Sequence, residues 1–310
     1  MRISIDKAAE MLSLGAVVSV PTETVYGLAA SLHCPEAIAR IFALKGRPLN
    51  NPLIVHLKDA SSLGQYVDIT EDIRLLSENF WPGPMTLVLP VTSMGVPSIV
   101  SAGLPTAAFR VPAHPKCQML LEKTGPLVMP SANLSGKPSS TLPSHVENDF
   151  GDDFPVIDGS VCQEGIESTI LVKTEKWAIA RLGALSPEMF LPVLGYLPAL
   201  IEPNNANRPL CPGQMYRHYA PKAKLHCLED TSPPTVGAII GFEDRHYFAG
   251  SDHRFFSLGL STNPATALQR LYSILRELDE QHITSAWVDM SFPKNGLWLT
   301  LRERLLRASC

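Results

Sequence analysis

Four stretches of the 310-residue chain carry side chains suited to an anionic substrate. Lys45-Gly46-Arg47 follows directly on a predicted helix end. Arg110 closes an apolar run before Pro112, Ser131-Ala132-Asn133 follows Pro130, and Arg181 closes another apolar run. Lysine and arginine neutralise phosphate or carboxylate charge, and arginine can do so through two parallel hydrogen bonds. Singly, each reads more readily as a solvated surface charge than as a ligand contact. Together they sit at predicted strand ends, where ligands of open α/β sheets generally bind. A second cluster is Pro21-Thr22-Glu23-Thr24-Val25-Tyr26-Gly27-Leu28. Polar side chains and Tyr26 crowd a strand-to-loop junction, and Gly27 allows close backbone approach. The cluster reads either as a capped turn or as a small polar pocket for an amino acid or hydroxyl-bearing ligand. His56, inside Leu53–Leu57, is either a packed strand residue or a ligand contact.

Several chemistries lack their residues. No GxxxxGK[ST] loop and no GxGxxG is present, so phosphate handling here would fall to side chains rather than a glycine cradle. HExxH and GxSxG are also missing. The six cysteines (Cys34, Cys117, Cys162, Cys211, Cys227 and Cys310) form no CxxC pair and have no histidine at zinc-ligand spacing, so they read as reduced thiols. The formal net charge is −4. Residues 1–205 carry 14 basic and 20 acidic side chains, and residues 206–310 carry 12 and 10. Neither part has the broadly basic balance of a non-specific nucleic-acid binder. The uncharged run Asn79–Phe109 is long enough to span a membrane, but five prolines cut it into short apolar pieces. The N-terminus carries acidic residues where a signal peptide needs a clean apolar run, so a cytoplasmic location with no membrane association is expected.

The elements that must position these residues alternate between helical and strand patterns. Asp6 is expected to cap a helix ending near Gly15, and Ala16–Val20 reads as a buried strand. Pro35–Leu44 is helical, with Pro35 in the first turn and Gly46 as the C-terminal cap. Leu53–Leu57, Met85–Val91, Ala107–Val111 and Leu127–Met129 read as strands. Glu71–Phe80 and Lys116–Lys123 read as helices, and Ser168–Thr174 with Trp177–Leu182 as a hairpin. Leu200–Pro221 is rich in Pro and Asn with weak periodicity, a candidate linker. Beyond it lie strands at Lys224–Leu228, Val236–Phe242, Phe255–Leu258 and Ala286–Met290, with helices at Pro264–His282 and Leu297–Ser309. The expected organisation is a mixed-sheet α/β domain over residues 1–199, a linker over 200–222 and a smaller α/β domain over 223–310.

Six motifs occur in order: PTETVYGLAA at 21–30, KGRPLNNPLIVHL at 45–57, WPGPMTLVLP at 81–90, FRVPAHP at 109–115, PSANLSGKPS at 130–139 and GIESTIL at 165–171. Together they resemble the YrdC-type domain of threonylcarbamoyl-AMP synthases. CPGQMYRHYAPKA at 211–223 resembles the linker of the two-domain members. The chain departs from the family's pattern at Ser160, Leu182 and Cys211, where glycine, proline and serine are common.

The resemblance implies an open, twisted mixed sheet with helices around a concave cavity, followed by a Rossmann-like C-terminal domain. It implies a nucleotidyltransferase that condenses L-threonine, bicarbonate or CO2, and ATP into threonylcarbamoyl-AMP and pyrophosphate. A downstream threonylcarbamoyl transferase then modifies the adenosine beside the tRNA anticodon, so contact with tRNA would be indirect. By carry-over, Lys45 and Arg47 are catalytic and bind phosphate with Ser131 and Asn133. Asn51, Thr106, Thr141, Arg181 and Tyr216 belong to the ATP site. Thr24, His56, Arg110, Ser131 and Ser168 belong to the threonine pocket, with Tyr26 as a wall. Tyr216, Arg217, His218 and Tyr219 would fold back as a lid. Mg2+ is expected on the ATP phosphates with mostly water ligands, since the sequence offers no carboxylate cage. The rival readings are a double-stranded RNA-binding module on the same concave domain, a carbamoyl-transfer maturation factor and a purely structural partner. The second lacks its zinc-finger cysteine pairs, and the third leaves the cationic set without a purpose.

Overall fold

The computed structural model describes residues 1–92, 95–201, 219–229, 237–247 and 254–309. Its strands are β1 (Arg2–Ile3), β2 (Val18–Val20), β3 (Gly27–Ser31), β4 (Ile54–His56), β5 (Met85–Pro90), β6 (Thr106–Arg110) and β7 (Leu127–Val128). They continue with β8 (Val156–Ile157), β9 (Thr169–Lys173), β10 (Trp177–Arg181), β11 (Lys224–Leu228), β12 (Ala238–Gly241), β13 (Arg254–Ser257) and β14 (Ser285–Asp289). The helices are α1 (Ile5–Ser13), α2 (Pro35–Lys45), α3 (Glu71–Phe80), α4 (Ser98–Ser101), α5 (Pro115–Thr124), α6 (Pro143–Phe150), α7 (Leu191–Leu194), α8 (Pro264–Glu280) and α9 (Leu297–Ser309).

Strands β1 to β10 form one mixed sheet of ten strands, in the order β1-β8-β2-β3-β7-β4-β6-β5-β9-β10. Strands β11 to β14 form a separate parallel sheet in the order β11-β14-β12-β13. This is the α/β architecture expected from the sequence, with a large mixed sheet and a smaller C-terminal one. The uncharged run becomes β5, α4 and β6, and none of the described helices is long and apolar enough to cross a membrane.

Local chemistry sets the ends that matter to the site. Pro35 opens α2, and Gly46 closes it at φ 61°, where a left-handed residue ends the helix just after Lys45. Glu71 and Asp72 occupy the first turn of α3, on the side favoured by the helix dipole. The cap of α1 is Ser4 rather than Asp6: the Ser4 hydroxyl accepts from the Lys7 amide, and Asp6 sits inside the first turn. The expected hairpin is present as antiparallel β9 and β10.

Residues 187–201 turn back onto the large sheet, where the Ile179 amide donates to Ala199 O and Ile179 O accepts from the Ile201 amide. Of the expected linker, residues 202–218 lie outside the described residues, including Tyr216, Arg217 and His218.

The two units share a core. Val25, Ile166 and Ala184 join the apolar cluster formed mainly by the C-terminal unit. One face of α8 docks on the larger unit with helical spacing. Gln269 Nε2 donates to Cys162 O at 3.4 Å, Ser273 Oγ meets Thr141 Oγ1 at 3.1 Å, and Arg276 Nη2 pairs with Asp149 at 2.9 Å. Gly165 makes this approach possible. It holds φ +66°, and a Cβ there would lie 2.5 Å from the Gln269 backbone. Gly165→Ala therefore combines left-handed strain of ~1–2 kcal/mol with overpacking of ~1–3 kcal/mol. Thermal unfolding should show a midpoint at least ~4 °C below that of the parent chain; an unchanged midpoint would mean that this contact does not hold the units together.

Candidate active site

A cleft of about 720 Å³ opens on one face of the large sheet. Its lining includes Thr24, Lys45, Arg47, His56, Arg110, Ser131, Asn133, Ser168 and Arg181, so nine of the expected site residues converge there. They do not arrive at a single sheet edge. His56 and Arg110 are register partners at the carboxyl ends of parallel β4 and β6. Ser131 and Asn133 follow β7, which runs antiparallel to β4 and so delivers them from the opposite end. Arg181 ends β10 beside Ser168, the residue preceding antiparallel β9. Ile54 and His56, two apart on β4, both line the cleft from one sheet face. The residues thus stand at strand ends, as expected, but at ends of opposite direction, so the site lies across the face of the sheet.

The end of α2 is stitched to the 131–135 loop. Lys45 Nζ donates to Ser131 O at 2.5 Å and Asn133 O at 2.6 Å, and the Ser135 amide donates back to Lys45 O. An ammonium has three donors, so one remains to meet a ligand. Burial, and then Arg47, push the Lys45 pKa well below its ordinary value. An anion in the cleft would oppose both effects and favour the charged form. Arg47 folds over the following turn, with Nη2 on Pro52 O at 2.8 Å and Nε on Asn51 O at 3.3 Å. Asn133 gives Nδ2 to Leu134 O and Lys137 O, while its buried Oδ1 has no hydrogen-bond partner among the described residues. Such an orphaned acceptor in a cleft is suited to a donor on a ligand or water.

At the other end, Arg110 is held on three sides. Nη2 pairs with Glu23 Oε1 at 2.5 Å, Nη1 donates to Thr24 Oγ1 at 2.8 Å, and Nε donates to Gly83 O at 3.2 Å. Two of its five N–H groups remain for a ligand carboxylate. His56 is buried, and burial followed by the Arg110 charge lowers its pKa to about 3. It is therefore neutral at physiological pH, with Nδ1 3.1 Å from Ile54 O. Arg181 Nη2 donates to Ser168 O at 2.9 Å and to Ser168 Oγ at 3.2 Å, and Ser168 Oγ also meets Thr86 Oγ1.

Four expected residues are not brought into this lining. Thr106 opens β6, at the far end of that strand from Arg110. Thr141 faces α8 through Ser273 and lies at the seam between the units. Asn51 is buried beside the cleft, and its carbonyl supports Arg47. Tyr26 turns its hydroxyl to Ser160 O and the Gly159 amide and is not a wall of the cleft. Tyr216 lies outside the described residues. Conversely, Glu23, Ser139 and Glu167 are site residues that the sequence reading leaves unassigned. Glu23 stands inside the 21–30 motif and Glu167 directly precedes Ser168, so a carboxylate inside a cation-rich motif is the signal that could have found them. Tyr219, expected as part of the lid, lines the cleft. Ser160, where the resemblance leads one to expect glycine, takes φ 60°, and its amide donates to Asp158 Oδ1 at 2.9 Å. Among the described residues no group of three His, Cys, Asp or Glu side chains could hold a metal ion.

A mixed sheet carrying a cation-lined cleft, followed by a parallel α/β unit, is the arrangement of one family of enzymes, and the chain belongs to it. The Sua5/YciO/YrdC family model, described as telomere recombination, matches residues 10–183. The model described as the threonylcarbamoyl-AMP synthase C-terminal domain matches residues 184–310. A threonylcarbamoyl-AMP synthase of Pyrococcus abyssi is 42% identical, over 97% of this chain and 93% of its own. One from Bacillus subtilis is 36% identical, over 98% of this chain and 92% of its own. The crystal structure of P. abyssi Sua5 complexed with L-threonine superposes with a TM-score of 0.90 at 32% identity, covering 100% of this chain and 96% of that one.

Two measurements check the geometry. Glu23→Gln strands the buried Arg110 charge and should cost ~3–5 kcal/mol in denaturant unfolding; a loss below ~1 kcal/mol would mean that the pair does not organise this end of the cleft. His56 resists protonation when folded, whereas in the unfolded chain it takes up a proton near its ordinary value. Its contribution is therefore complete above that value and is lost as pH falls toward about 3. At pH 5 the loss from His56 should be ~2 kcal/mol, and His56→Gln should flatten the stability profile by that amount. Parallel profiles for the two chains would contradict the buried, neutral histidine.

Proposed function

We propose that the chain is an L-threonylcarbamoyladenylate synthase. It condenses L-threonine, bicarbonate or CO2, and ATP to threonylcarbamoyl-AMP, releasing pyrophosphate, and is therefore a nucleotidyltransferase. The observation that carries this reading is the convergence of Lys45, Arg47, Arg110 and Arg181 on one cleft, in a chain whose full-length relatives bear that enzyme's name.

The chemistry needs no covalent enzyme nucleophile. The threonine amine adds to CO2 and loses a proton, giving a carbamate. A carbamate oxygen attacks the α-phosphorus of ATP, the new P–O bond forms, and the bond to the β-phosphoryl oxygen breaks with its electron pair leaving on pyrophosphate. The protein's task is to assemble the reactants and balance negative charge. Positioning of this kind contributes up to ~7–11 kcal/mol. Each fixed donor aimed at developing charge in a water-poor site adds ~3–4 kcal/mol.

The residues divide by charge and reach. Lys45 and Arg47, with the orphaned Asn133 Oδ1 nearby, form the end suited to the triphosphate and its ribose or amide donors. Arg110, oriented by Glu23 and Thr24, suits the threonine carboxylate through two parallel hydrogen bonds. Neutral His56 suits its amine, because a protonated imidazole there would repel the ammonium, and Ser168 suits its hydroxyl. Mg2+ is taken to arrive with ATP as part of the substrate, bridging phosphate oxygens with mostly water ligands. A cleft that keeps water from the carbamate also protects it from hydrolysis. The product is a mixed anhydride suited to a downstream transferase acting on the anticodon-adjacent adenosine of tRNA, and the proposed location is the cytoplasm.

Incubation with ATP, L-threonine and bicarbonate should yield threonylcarbamoyl-AMP by mass analysis, and omission of any one should abolish it. Lys45→Ala should lower the rate by ~100-fold or more. ATP turnover that ignores threonine, or an unimpaired Lys45→Ala variant, would refute the assignment.

A further inference from the structure

Glu167 is an unexpected wall for such a cleft. It lines the cleft and is only 6% exposed. A bare carboxylate there would repel a triphosphate. Both of its oxygens are instead held by hydrogen bonds. Ser139 Oγ donates to Oε1 at 2.6 Å, while Oε2 accepts from Tyr272 Oη at 2.8 Å and Arg304 Nε at 3.2 Å. Tyr272 lies on α8 and Arg304 on α9, so the C-terminal unit supplies two of the three partners.

Arg304 is fully buried and does not line the cleft. Its Nη2 donates to Leu182 O at 2.7 Å, its Nη1 pairs with Glu303, and Glu303 pairs in turn with Arg307. The result is an alternating chain of charges, Glu167–Arg304–Glu303–Arg307, running from the cleft wall into the C-terminal unit. Arg181 also lines the cleft, and its charge favours the ionised form of Glu167. The Arg304 guanidinium also lies 4.8 Å from the Tyr219 ring, which stacks on Tyr272 at 5.3 Å. One buried cation therefore organises both a carboxylate and an aromatic ring of the wall.

We propose that Arg304 is a positioning residue: from outside the cleft it cancels the charge of Glu167 and fixes its direction, so that a carboxylate can line a hollow that takes a polyanion. The inference rests on the nucleotide reading of the cleft. It gives the C-terminal unit a share in substrate binding through Glu167, without contact between Arg304 and substrate.

The test is equilibrium binding of ATP and of L-threonine to full-length variants, with folding checked by circular dichroism. Arg304→Met should weaken ATP binding about tenfold or more, because like charges are then juxtaposed, and should change threonine binding far less. Arg304→Lys keeps the charge but offers one nitrogen where three make contacts, so its ATP affinity should fall between those of the parent and Arg304→Met. Glu167→Gln removes the charge at constant size, keeps an acceptor for Tyr272 and Arg304 and turns an amide donor to the Ser139 hydroxyl, and should bind ATP as well as the parent or better. In the double variant Glu167→Gln/Arg304→Met, ATP binding should return to within about threefold of the parent, a coupling expected of two groups in contact. Equal losses for both ligands with no recovery in the double variant would reduce Arg304 to a packing role and overturn the inference. Should Arg304→Met fail to fold, Glu167→Gln decides alone, because weaker ATP binding there contradicts charge cancellation. These outcomes are separate from product formation by the parent chain, which tests the enzymatic reading itself.

Discussion

Lys45 ends its helix with Nζ lodged between the carbonyls of Ser131 and Asn133, 2.5 and 2.6 Å away. That contact states the constraint on the whole site. Cations must be gathered in a hollow poor in water, and each must be restrained without being fully neutralised. Neutral carbonyls do this for Lys45 and Arg47, because a dipole holds the group in place and leaves its charge to the ligand. Arg110 has a carboxylate partner in Glu23, yet the pair lies at the buried back of the guanidinium and leaves two donors toward the cleft. Burial raises the cost of every unpaired group, so the same dryness that strengthens substrate contacts demands this scaffolding.

The scaffolding explains the architecture. The large mixed sheet delivers its residues from opposite strand directions, which a purely parallel sheet could not do. The loops that carry them, 130–139 and 165–168, are thin, and one side of each faces the cleft. Their other side is gripped by α8 and α9, through Arg276 on Pro138 O and through Tyr272 and Arg304 on Glu167, while Ser273 meets Thr141 and Thr300 donates to Gly183 O just beyond them. The second unit is thus part of the mechanical support of the site as well as a separate sheet. Gly165 and Gly183 sit where this support is tightest; a Cβ on Gly183 would lie 2.4 Å from the backbone of residues 167–169.

Much of the frame was legible in the sequence. Glu71–Phe80 and Leu297–Ser309 have the bounds that their periodicity and stop signals predict, and α2 ends where Gly46 says it must. Strand β3 was not, because Gly-Leu-Ala-Ala-Ser has neither alternation nor β-branched residues. The cationic members of the site were legible because their motifs are compact and sit beside prolines and glycines that punctuate the chain. Their partners were harder to see. Glu23 meets Arg110 across 87 residues, and Glu167 meets Arg304 across 137. No periodicity encodes such pairs, since they exist only once the sheet and the second unit are assembled. Thr106 and Thr141, carried over from just outside the motifs, do not line the cleft, because strand direction and the docking of α8 decide where a residue faces.

On the proposed chemistry, one cleft holds an amino-acid carbamate and a nucleotide in contact. A crystal structure of the chain with L-threonine and a non-hydrolysable ATP analogue tests it most directly. The threonine carboxylate should lie on Arg110 and the phosphates on Lys45 and Arg47, with the amine directed toward the α-phosphorus. A nucleotide bound at the C-terminal sheet, or a threonine site out of reach of the phosphates, would contradict the account.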